Sequence, residues 1–278
     1  MRPDRDRLLL EMGLGPLWKA RSMPLSVAAP PASTPPINTP PVSAVAEVAS
    51  PGAMKPAIAR SQALAAPMVD ARRGSDDDDA RNAAIAQMEW PALKALVAGC
   101  TACNLCKGRT NTVFGVGDES AGWMIIGEAP GAEEDARGEP FVGQAGQLLD
   151  AMLGALDMHR RQNVYIANLL KCRPPGNRNP APEEVARCAP HLLRQVALVK
   201  PGLILSMGRF ASQALLGTEA SIASLRGRLH SFAGTPVVVT YHPAYLLRTP
   251  TDKARAWEDL LFARATWLGL QSMAAAAT

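Results

Sequence analysis

Four short apolar stretches limit what this chain can fold into: "GWMIIGE" at 122–128, "NVYIANLL" at 163–170, "GLILSMG" at 202–208 and "PVVVTYHP" at 236–243. Each has strand length, and each is followed by a stretch with helical spacing. These stretches are "GQAGQLLDAMLGALDM", "APEEVARCAPHLLRQVALVK", "RFASQALLG" and "DKARAWEDLLFARATWLG". In the second, Pro182 stands near the first turn with acids just behind it, as the helix dipole favours. A further helix, "AIAQMEWPALKALVAGC", precedes the first strand and is expected to end at Gly99. Strands alternating with helices imply parallel β-α units, hence an α/β fold: a three-layer α/β/α domain with a central four-stranded parallel sheet. Ligands of such sheets bind at the carboxyl ends of the strands. Chemistry is therefore expected in the loops after the first, second and fourth strands.

This pattern occupies only part of the chain. Residues 1–85 hold 12 of the 24 prolines and no cysteine, and 23–70 are Pro/Ala/Ser-rich with repeated Pro-Pro pairs. Such a segment buries too little surface to offset its ordering entropy, so 1–85 is expected to be a disordered tail with polyproline II character. A short helix at 5–20 could dock on a partner that the sequence does not identify. The aspartates Asp76 to Asp79 read as a solvated charge run. Residues 86–278 form the expected folded domain, long enough to bury a substantial core. That part carries 19 Lys and Arg against 16 Asp and Glu, a mild basic excess that does not by itself argue for a polyanion partner. No apolar run approaches the ~18 residues of a membrane span. "MRPDRDRLLLEMGLGPLW" makes a poor signal peptide, so a cytoplasmic location is expected, with cysteines reduced or bound to metal.

All five cysteines lie in the folded part: Cys100, Cys103 and Cys106 in "CTACNLC", then Cys172 and Cys188. A Cys-x-x-Cys pair with two more cysteines suggests structural zinc or an iron–sulfur cluster. The wide spacing of the second pair leans toward a cluster without deciding the matter. Four positions leave one thiol spare, and Cys106 is the one outside the tight pair.

The strand ends carry polar groups of different kinds. The first leads into "GEAPGAEEDARGEPFVGQAG", Gly127 to Gly146, which has five acidic side chains where a phosphate cradle would have few. Here stand Glu128, Glu133, Glu134, Asp135 and the aromatic Phe141; the second strand ends at Asn168 and the fourth leads to His242. An amide, an aromatic face and an imidazole together suit a planar base: the amide reads its edge, the ring stacks on its face, and the imidazole stabilises charge on a carbonyl oxygen.

These stretches, "GEAPGAEEDARGEPFVGQAGQLLD", "NLLKCRPPGNRNP" and "HPAYLLR" with "CTAC" upstream, closely resemble the family 4 uracil-DNA glycosylases, the iron–sulfur branch of that superfamily. The resemblance runs from about Cys100 to Leu268. It implies a [4Fe–4S] cluster on Cys100, Cys103, Cys172 and Cys188, and a uracil pocket lined by Glu128, Ala129, Glu134, Phe141, Asn168 and His242. Ala129 stands where another family of the superfamily has a catalytic aspartate. A related branch traps its substrate on a histidine in a basic insert; "KCRPPGNRNP" has neither, so turnover is expected.

The activity so implied is hydrolysis of the bond between uracil N1 and deoxyribose C1′ in single- or double-stranded DNA, by a monomer. The base must be flipped out of the duplex. Phe141 would stack on it and Asn168 would read N3–H and O4. His242 would donate to O2, and Glu134 would exclude the 5-methyl of thymine. Glu128, or second Glu134, would stabilise the sugar cation or orient water. DNA phosphates would meet backbone N–H groups near Gly143 and Gly146 together with Lys171, Arg173, Arg178 and Arg248. Leu246 or Leu247 would wedge into the gap left by the base. The alternatives are a non-catalytic metal-cluster or zinc DNA-binding protein, and a glycosylase with wider choice among deaminated bases.

Overall fold

A computed structural model of the chain describes residues 76–276. The expected helix at 5–20 and most of the expected tail lie outside them. The described part begins with helix α1 (Asp76–Ala86), ten residues ahead of the expected boundary. Within it, Asp78 pairs with Arg187. Helix α2 (Trp90–Ala98) follows as a separate element. Pro91 in its first turn has no N–H to carry the preceding helix onward, so the single helix expected here is two.

The sheet has six strands: β1 (Val116–Gly117), β2 (Trp123–Gly127), β3 (Val164–Asn168), β4 (Leu203–Met207), β5 (Leu229–Phe232) and β6 (Thr235–Thr240). Their order is β1-β3-β2-β4-β6-β5. The four central strands are parallel, as the sequence predicts. The two edges, β1 and β5, are antiparallel additions that the hydrophobic pattern does not reveal. β1 is two residues long, and β5 buries only Phe232.

Alternation along the central strands builds two cores. Trp123, Ile125, Leu203, Leu205 and Val238 face helix α4 (Gln144–Gly154) and the C-terminal helix Lys253–Ala276. Met124, Ile126, Ile204, Val237 and Val239 face helix α5 (Pro182–Val199). The result is the three-layer α/β/α domain. Among the described residues no helix is long and apolar enough to cross a membrane.

The chain leaves β2 toward one face and β4 toward the other, which makes a switch point between these neighbours. The register brings the strand ends level: Gly127 stands opposite Asn168, and Met207 opposite Thr240. Pairing continues past the β2–β3 ladder, with Leu169 N donating to Gly127 O at 2.9 Å and Leu170 N to Glu128 O at 3.0 Å.

Candidate active site

A cleft with about 820 Å³ open to water lies over these strand ends. Glu128, Ala129, Glu134, Phe141, Asn168 and His242 all line it, so the sequence-predicted pocket residues come together on one wall system. Asn168 and Phe141 meet above Gly127. A Cβ at Gly127 would stand 2.5 Å from Asn168 Oδ1 and 2.6 Å from Phe141 Cζ. Glycine here is therefore what lets both side chains close over the strand end.

Asn168 is 2% exposed, and its Oδ1 has no hydrogen-bond partner among the described residues. A buried acceptor left unpaired is costly unless a ligand supplies the missing donor. Phe141 is 5% exposed and sits at φ 54°, left-handed for a non-glycine residue. Arg160 holds that strained loop by donating from Nη2 to the Phe141 carbonyl at 2.7 Å.

His242 caps the short helix Pro243–Arg248, its Nδ1 accepting from Ala244 N at 3.1 Å. With Nδ1 an acceptor, the neutral ring carries its proton on Nε2. Burial, then the charge of Arg248, pushes the His242 pKa down to about 4, against a smaller opposing effect of Glu134. Glu128 moves the other way: burial raises its pKa to about 6, with Arg209 opposing. Its carboxylate forms no hydrogen bond among the described residues and does not cap the helix that follows it.

That capping falls to Glu134, in helix α3 (Ala132–Arg137). Its carboxylate accepts from Gly131 N at 3.0 Å, Val142 N at 2.9 Å and Gly143 N at 3.1 Å. Glu134 is thus a tie across the loop, and Glu128 is the carboxylate left free for chemistry.

Several expected DNA contacts are corrected. Lys171 is 1% exposed, its ammonium bonded to Asn168 O and Gln195 Oε1, so it cannot reach a phosphate. The Gly143 N–H is already taken by Glu134. Gly146 is buried in α4, and a Cβ there would collide with the Phe141 carbonyl; it is glycine for close packing. Leu246 is 1% exposed in the core and cannot act as a wedge, whereas Leu247 is 40% exposed. Arg178 and Arg248 line the cleft and are exposed; Arg178 is held by both oxygens of Glu184. Arg173 is half-buried and donates to Asn177 Oδ1 at 2.8 Å, outside the cleft lining.

The loop after β4, which the sequence reading left out, also lines the cleft, through Gly208, Arg209 and Phe210. Gly208 has φ 91°, and a Cβ there would press on His242 Cβ at 3.0 Å. Arg209 lies over the Phe210 ring at 4.5 Å. "MGRF", a glycine at a parallel strand's carboxyl end, is the signal that identifies it.

A second cavity lies on the α5 side of the sheet. Cys100, Cys103, Cys106, Cys172 and Cys188 line it, and all five thiols are free. Arg109 Nη1 donates to Cys172 Sγ at 3.2 Å, Lys171 N donates to Cys188 Sγ at 3.3 Å, and His191 Nε2 is 3.8 Å from Cys100 Sγ. Burial raises the pKa of Cys103 and Cys172, and pushes that of Cys188 up to about 12. Among the described residues no three such side chains gather as the ligands of one ion would. The thiols line one small space, with the Arg109 guanidinium and the Lys171 N–H donating to two of their sulfurs, a lining that suits an anionic sulfur-ligated group.

A family model for the uracil-DNA glycosylase superfamily matches residues 114–261. The type-4 uracil-DNA glycosylase of Archaeoglobus fulgidus is 43% identical, over 55% of this chain and 81% of its own length. Those of Thermotoga maritima and Pyrobaculum aerophilum are 44% and 42% identical, over 57% and 62% of this chain and 83% and 92% of theirs.

Proposed function

The chain belongs to the uracil-DNA glycosylase superfamily, and on that footing we propose that its cleft takes a uracil flipped out of DNA and hydrolyses the N1–C1′ bond. The observation that carries the reading is the orphaned acceptor of Asn168. Uracil N3–H supplies the missing donor and O4 accepts from the Asn168 amide nitrogen. Cytosine offers no N3 proton, so it leaves the acceptor unpaired.

The remaining groups divide the chemistry. His242 Nε2–H donates to uracil O2 as the N1–C1′ electron pair passes to the departing base. A single well-placed donor of this kind contributes about 3–4 kcal/mol. Ionised Glu128 stabilises positive charge at C1′ and orients water, whose oxygen bonds to C1′ and whose proton passes to the carboxylate. Phe141 and His242, in ring contact, line the same cleft, so stacking on the one and hydrogen bonding to the other are available to a single base. Glu134 shapes the wall at C5 by fixing the Gly131 and Val142–Gly143 backbone. Arg178, Arg209 and Arg248 present positive charge at the mouth, where phosphates pass.

Cys100, Cys103, Cys172 and Cys188 are the residues that would hold a [4Fe–4S] cluster, with Cys106 spare. The cluster would cross-link the 100–103 segment to the 172–188 segment, and no step of bond cleavage passes through it.

The test is uracil release from a defined oligonucleotide by the purified protein beside Asn168→Ala. Loss of about 10²–10³-fold in rate is expected. Undiminished release by the variant overturns the assignment. Oligonucleotides carrying hypoxanthine or xanthine in the same assay measure the width of base choice.

A further inference from the structure

Among the described residues nothing bonds the Asn168 amide oxygen, so its aim depends on where the backbone holds it. That backbone lacks the usual support. Edge strand β1 covers β3 only at Tyr165 and Ile166, leaving the Asn168 carbonyl without a ladder partner. Lys171 takes the strand's place. Its ammonium donates to Asn168 O at 2.8 Å and to Gln195 Oε1 at 2.6 Å.

The second anchor is itself fixed. Gln195 is fully buried, and its Nε2 donates to Phe114 O at 2.9 Å and to the Tyr165 hydroxyl at 3.3 Å. The Lys171 backbone is held as well: its carbonyl accepts from Val113 N at 2.8 Å and its N–H points at Cys188 Sγ. Among the described residues no carboxylate pairs with this buried ammonium. A lysine is almost never buried so deeply without a specific partner to hold.

We propose that Lys171 is a positioning residue that clamps the Asn168 backbone, and so aims the Asn168 amide at the flipped base, from a segment anchored on the cysteine-lined cavity. The proposal rests on the uracil-reading role assigned to Asn168. Lys171 touches no substrate, so its loss lowers kcat and weakens base recognition while the DNA-binding mouth stays intact.

The experiment compares wild type, Lys171→Met, Asn168→Ala and the double variant. It reads kcat and KM on a uracil oligonucleotide, inhibition by free uracil, absorbance near 400 nm and thermal stability. Lys171→Met is expected to keep its absorbance and KM, to lose roughly 10–100-fold in kcat as a misaimed group does, and to be inhibited less by free uracil. The double variant is expected to be no slower than Asn168→Ala alone. Wild-type kcat in Lys171→Met, additive losses in the double variant, or loss of the absorbance together with activity would each overturn the clamp. If Lys171→Met does not fold, Gln195→Met removes one anchor and leaves the lysine; it should show the same pattern more weakly, and its absence overturns the proposal. A wild type inactive on uracil would instead sink the glycosylase assignment.

Discussion

The Phe141 ring lies against the His242 ring, centroids 5.4 Å apart and planes inclined by 26°. An apolar cover of this kind disfavours an imidazolium, in keeping with burial as the leading cause of the low His242 pKa. At that spacing no third ring fits between them.

The pH dependence of uracil release follows from two opposite shifts. His242 falls from the ordinary 6.5 to about 4, so it is neutral, with Nε2–H available, at any pH well above 4. Glu128 rises to about 6, so its ionised form is lost as pH drops through that value. The kcat profile is expected to fall below about pH 6 and to fall again near 4. Glu128→Gln should lower the plateau and remove the limb near 6 while keeping the lower one. A remaining limb near 6.5 in that variant would show an unshifted imidazole.

Gly127→Ala tests the close approach at the end of β2. The added methyl meets Asn168 Oδ1 and Phe141 Cζ together, and neither can yield without leaving the cleft wall. Overpacking of this kind costs about 1–3 kcal/mol. Urea denaturation should report that loss, and uracil release should fall further than the stability change explains. Near-wild-type kinetics would mean that the two side chains have room to retreat.

Glu134→Gln replaces one of the oxygens that tie the loop with an amide that faces N–H groups. Stability is expected to drop by about 1.5–3 kcal/mol, as for a lost charged acceptor. The pH limb near 6 should stay where it is, because that limb belongs to Glu128. A displaced limb would take that assignment away from Glu128.

Serine substitutions separate the cysteines. Cys100→Ser, Cys103→Ser, Cys172→Ser and Cys188→Ser should each reduce the iron content and the absorbance near 400 nm. Cys106→Ser, which removes a thiol from the same cavity, should leave both unchanged. Bleaching in Cys106→Ser with retention in one of the others would redraw the ligand set.

The parallel core was legible because its signal is local: apolar five-residue strands at regular intervals. Asn168 and His242 were legible because they stand at strand ends, where such sheets bind ligands. Edges β1 and β5 were not, since a strand that buries one residue or none leaves no hydrophobic period. The misassigned residues share another cause. Lys171, Gly143 and Leu246 sit in the right segments, but exposure depends on what packs over them from elsewhere: Gln195 on α5, Glu134 on α3 and the core around Leu246. Charge and type show what a side chain can do, and only the tertiary contacts show whether it is already engaged.

The antiparallel rims carry a last implication, for the behaviour of the protein in solution. A two-residue strand on one side and a four-residue hairpin arm on the other offer a neighbouring molecule almost no ladder to extend. Short edges of this kind disfavour edge-to-edge pairing with another sheet, although four contiguous apolar strands lie between them.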